Sequence, residues 1–187
     1  MTFDPVLSMR SIPRRLRDML ADESGVTAIE FGILGLPFFA IIAAIMQTSV
    51  IFLASQVLES AVNDAARDIR TGQLQQSGGT ISTFRSAVCD RLYGLFPNCN
   101  NLHVRVVVVT NFQSATVVVP VEGDCEAPCE WTQGETFTPG SGRSVVLAQV
   151  YYKYPVIIQL GPIGMSNLPD GSRLMGSATV FQNEPFT

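Results

Sequence analysis

The chain has 187 residues and a formal net charge of −4, with 47% hydrophobic and only 15% charged residues. This balance, with no basic patch interleaved with aromatics after residue 70, argues against a nucleic-acid partner. The hydrophobic excess is gathered near the N-terminus, so it reports a membrane segment attached to one modest domain.

Residues 1–25 form a leader in which Arg10, Arg14, Arg15 and Arg17 are balanced by Asp4, Asp18, Asp22 and Glu23. Beyond it, the 28 residues from Phe31 to Leu58 carry no charge. As a helix that run is ~42 Å long, more than a ~30 Å hydrocarbon core requires, which predicts a span through a lipid bilayer. The arginines before it place the N-terminus in the cytoplasm and the rest of the chain outside. The run is too long for the apolar region of a cleaved secretory signal, usually ~7–15 residues. Leu58, Ala61, Val62, Ala65, Ala66 and Ile69 then recur at helical spacing, with Glu59, Asp64, Arg67 and Asp68 on other faces. One helix from Val26 to Arg70 is therefore expected, half in lipid and half an amphipathic stem, stopping at Gly72. Pro37 is expected to kink or loosen it.

The junction reads Glu23-Ser24-Gly25-Val26-Thr27-Ala28-Ile29-Glu30-Phe31. A carboxylate at the threshold of an apolar helix either stays wetted at the headgroups, favoured by the helix dipole, or needs a cation partner. Leader, glycine, four small or apolar residues, Glu-Phe and a long apolar helix together resemble type IV pilin-like assembly signals. More narrowly, "ESGVTAIEFGILGLPFFAIIAAIMQ" and "LESAVNDAARDIRTGQ" resemble the TadE family of tight-adherence (Tad) pilus assembly proteins. The resemblance implies that a prepilin peptidase cuts after Gly25, leaving Val26 as the new N-terminus. It also implies that Glu30, followed by Phe31, pairs with the terminal amine of a neighbouring subunit in assembly. The family's proteins are regarded as minor pilins or pseudopilins, working with other pilins and pilus assembly proteins. The sequence departs from the usual signal in carrying Ser24 where a lysine precedes the glycine. Ala28 with Gly32, and Ala40 with Ala43 and Ala44, offer small surfaces for close helix contact.

Residues 26–72 are thus the transmembrane and stem helix, and 73–187 an outer domain. After a Gly-, Gln- and Ser-rich segment, Thr80 or Ser82 caps a second helix with the apolar stripe Ile81, Phe84, Val88, Leu92 and Leu95, ended by Pro97. Valine-rich runs over Leu102–Thr110, Ala115–Val121, Ser144–Tyr154, Val156–Leu160 and Leu174–Phe181 read as strands. Four or five strands with one helix and no βα alternation predict an α+β domain on an antiparallel sheet.

Cys89, Cys99, Cys125 and Cys129 all fall on the outer side, where an even number favours disulfides. Of three possible connectivities, Cys89 with Cys99 and Cys125 with Cys129 is preferred; a four-cysteine zinc site fits the spacing poorly. Glu122, Asp124, Glu126 and Glu130 crowd one loop, without the spacing of a calcium-binding loop, and read as a solvated acidic stretch. His103, the lone histidine, has no nucleophile in motif context and reads as a structural or surface residue. Trp131, Tyr151, Tyr152 and Tyr154 are either a binding surface or interior packing. With no phosphate loop, nucleophile elbow or zinc-protease motif, nothing recommends an enzyme, and no cofactor or metal is expected.

Three readings follow. The leading one is a TadE-like minor pilin or pseudopilin, held in the inner membrane with its domain in the periplasm and able to enter the fibre. The second is an uncleaved single-span protein presenting an extracytoplasmic binding domain. The third is an anchored enzyme whose site is assembled from distant residues.

Overall fold

The computed structural model describes residues 25–158 and 164–186. The leader up to Ser24, with its four arginines, and the last residues of the expected Val156–Leu160 strand lie outside them. The chain divides after Ala44 into an N-terminal segment and a compact body, Ile45–Thr187.

Helix α1, Val26–Arg70, has the expected extent and runs without a break through Pro37. In the N-terminal segment its large apolar side chains are exposed: Phe31 is 69% accessible, and Leu36, Phe38 and Ile41 are similarly bare. In the body the stripe expected of a stem is buried, with Leu58, Val62, Ala65 and Ile69 in the main core. Gly72 ends the helical run with φ 78°, a left-handed conformation that glycine adopts without penalty. The ring of Phe186 stands where a side chain on Gly72 would project.

Two short helices follow. α2, Gln73–Gln76, is a single turn that buries Leu74, inside a stretch expected to be loop. α3, Ile81–Asp90, is capped at Thr80, whose backbone N–H donates to Thr83 Oγ1 at 3.3 Å. It stops seven residues before Pro97 because Arg91 and Leu92 turn tightly onto Val88 and Cys89, and Tyr93 and Gly94 are left-handed. Phe84, Val88 and Leu92 still reach the core.

The body has one four-stranded sheet ordered β2-β1-β3-β4. β1 is His103–Val109, β2 Thr136–Phe137, β3 Val145–Pro155 and β4 Ser172–Gln182. β1–β3 and β3–β4 are antiparallel, but β2 lies parallel to β1, so the sheet is mixed, not purely antiparallel as expected. The long connection between β1 and β2 provides the crossover that a parallel neighbour needs. One face, with Val104, Val106, Val146, Ala148, Val150 and Tyr152, shares the core with α1 and α3.

Among the described residues, two expected strands do not form as such. Residues 115–119 carry no regular structure and join no ladder. Instead Gln149 Nε2 donates to the Thr116 carbonyl at 3.5 Å and Tyr151 Oη to the Val118 carbonyl at 3.2 Å. Residues 156–158 leave the sheet after Pro155. There the backbone of Ile158 bonds to Gln47 on α1 instead of to a strand.

Candidate functional site

The chemistry of α1 follows from what surrounds it. An 18-residue window with mean hydropathy 2.2 has none of its residues buried, and the helix is long and apolar enough to cross a membrane. An apolar surface of that extent in water would be costly, so it requires lipid or other helices. Glu30 is exposed one turn into α1, next to bare Phe31, and makes no ion pair among the described residues. Gly25 is also exposed, with open space where a side chain would project, so its identity is not demanded by packing. Gly32 is equally open. Glu30, Gly25 and Gly32 are thus all exposed among the described residues.

Two disulfides brace the body. Cys89 is bridged to Cys99 with Cα atoms 5.8 Å apart, and Cys125 to Cys129 at 5.2 Å. These are the two pairs preferred from the sequence. The first ties the end of α3 to the turn before β1; the second closes the loop around Pro128. Glu122, Asp124, Glu126 and Glu130 are all exposed, and the described residues contain no group of three or more metal-ligating side chains.

The aromatic residues have separate roles. Tyr152 and Tyr154 pack edge-on against Phe96, with centroids 4.9 and 5.6 Å away. Tyr151 packs over Gly176, and burial raises its phenol above the usual range. Trp131 stacks on His103 at 4.4 Å and 17°, with Lys153 Nζ 4.4 Å from its ring centroid. Lys153 also donates to the Cys129 carbonyl, fixing the bridged loop over the sheet.

Beside the His103–Trp131 stack is an open groove of about 430 Å³, lined also by Asn100, Asn101, Gln133 and Glu135. Glu135 receives two hydrogen bonds from Arg85 Nη2, at 2.6 and 2.7 Å, and one from the Val104 N–H at 2.9 Å. Burial alone would raise its pKa, but these bonds and the guanidinium charge outweigh burial and hold it below the usual value. His103 is depressed, first by burial and then by Lys153, Arg85 and Arg105, against the opposing pull of Glu135. Its Nε2 is buried without a partner. The groove thus has a neutral imidazole and a carboxylate already committed to a structural pair. It lacks a free nucleophile beside a base, which nucleophilic catalysis requires.

A long apolar helix carrying a disulfide-braced α+β body defines the class of protein. Within it, residues 25–67 match the family model described as TadE-like protein, so the resemblance covers the junction, the apolar helix and most of the stem. No curated protein matches the chain. No solved structure matches it.

Proposed function

We propose that this protein is a TadE-like minor pilin or pseudopilin, a membrane-anchored structural component in the assembly of a Tad pilus. The observation that carries this reading is the family match at residues 25–67, which falls on a helix long and apolar enough to cross a membrane. On this reading residues 1–25 are a cytoplasmic leader, 26–72 the transmembrane and stem helix, and 73–187 an extracytoplasmic domain. The leader's arginines set the orientation. A prepilin peptidase cuts after Gly25, and Glu30 with Phe31 meets other pilins in the bilayer. The role is structural and not enzymatic.

Intact mass and N-terminal sequencing of the protein from its native membrane test the reading. The expected product begins at Val26. A mature chain still starting at Met1 would instead support an uncleaved anchor presenting a binding domain. Gly25→Leu separates processing from folding, since the site has room for a side chain. It should abolish the cut and leave the thermal stability of the body unchanged.

A further inference from the structure

Gln47 is an isolated amide in an apolar stretch of α1, the seventeenth residue of the uncharged run that starts at Phe31. A hydrocarbon core accommodates about 20 helical residues, so Gln47 falls just inside its outer boundary. At that depth a bare carboxamide would be left without hydrogen-bond partners, as would any irregular backbone beside it. The body supplies both partners at once. Gln47 Oε1 accepts from the Ile158 N–H at 2.6 Å, and Gln47 Nε2 donates to the Ile158 carbonyl at 3.0 Å. This two-bond clasp satisfies four polar groups and fixes Ile158 at the level of Gln47 on α1.

The residues around the clasp are apolar and turned outward. Ile157 is 90% exposed, while on α1 Ile45, Met46 and Val50 are bare on either side of Gln47. Val156, by contrast, is buried in the body's core and anchors the turn there. The chain has no charged residue between Lys153 and Asp170. A bend whose Ile158 backbone groups are both paired, with Ile157 projecting beside an apolar helix, is suited to the acyl–headgroup boundary.

We propose that the turn Pro155–Ile158 is a second membrane contact, in which Ile157 inserts into the outer bilayer interface while the Gln47 clasp sets its depth. The partner is the lipid surface itself. This inference rests on α1 spanning the bilayer. Its consequence is that the body touches the membrane at a point besides α1.

The test uses the full chain in phosphatidylcholine vesicles, with an NBD fluorophore on an introduced thiol. The native cysteines are all bridged. Separate labels go on Ile157→Cys, Phe39→Cys and Phe112→Cys; all three native side chains are exposed. The expected result is blue-shifted emission and quenching by spin-labelled lipid at positions 39 and 157. Position 112 should be quenched only by aqueous iodide. Iodide quenching at 157, with 39 still protected, would overturn the second contact and leave the spanning helix intact. Failure of lipid quenching at 39 would overturn the spanning reading on which the inference rests. Gln47→Leu should abolish lipid quenching at 157, and undiminished quenching there would overturn the clasp as the depth-setting element.

Discussion

His103 is 4% exposed, stacked on Trp131, and carries one ring nitrogen without a partner. Protonating it would place a cation near Lys153, Arg85 and Arg105, in surroundings already desolvated, so its folded-state pKa lies below the ordinary 6.5. The unfolded chain therefore binds the proton first. The stabilising contribution is fully present above about pH 6.5 and is lost as pH falls through the depressed folded value. Glu135 has the same sign in a lower window, because its depressed carboxyl protects the fold above about 4.5 and loses that effect in stronger acid. Thermal melts should thus show Tm falling in two stages on acidification. His103→Phe keeps a flat ring and removes the orphaned nitrogen, so it should flatten the upper stage and leave the lower one. A Phe variant with the parental slope on acidification below pH 6.5 would show that another group carries that dependence.

Among the elements, the two bridges should differ in weight. Cys89–Cys99 spans a sequence separation of 10 and Cys125–Cys129 one of 4. In the chain-entropy view, removing the first by Cys89→Ala/Cys99→Ala costs about 2.5–3 kcal/mol, and removing the second about 2 kcal/mol. Chemical denaturation of each double variant checks the order, and a larger loss from the shorter loop would contradict it. The elements legible in the sequence were those whose signal is local. α1 announced itself by an uncharged run followed by a stripe at helical spacing. β1, β3 and β4 did so by valine and aromatic content. Ala115–Val121 carries the same content, yet its Thr116 and Val118 carbonyls accept from the side chains of Gln149 and Tyr151 on β3, a capture that composition does not encode. β2 is two residues long and exists through its register with Arg105 and Val106. The site follows the same division. The bare apolar helix is readable from neighbours in sequence, and the roles proposed for Gly25 and Glu30 rest on that local pattern alone. The Arg85–Glu135 pair and the Gln47–Ile158 clasp join residues 50 and 111 positions apart and leave no local pattern.

At the scale of the whole molecule, the compact body and the N-terminal part of α1 meet different demands. The body begins at Ile45 and buries its own stretch of α1, so its core is complete without Glu30. The carboxylate itself is exposed at the start of an apolar surface and makes no ion pair among the described residues. Drawn into lipid alone, it would stay at the headgroups or need a cation partner. Paired with the Val26 amine of a neighbouring subunit, it would enter a helix bundle as a matched ion pair, with Ala28 and Gly32 permitting close approach. Glu30→Gln preserves shape and removes only the charge. On the proposed pilin reading, the variant should retain both disulfides and the parental Tm, while its co-purification with pilins falls. Removing one partner of a buried ion pair typically costs about 3–5 kcal/mol, enough to reduce association by at least a hundredfold. If the Gln variant co-purifies as well as the parent, the ion pair does not drive assembly, and Glu30 is only a wetted residue at the start of the helix.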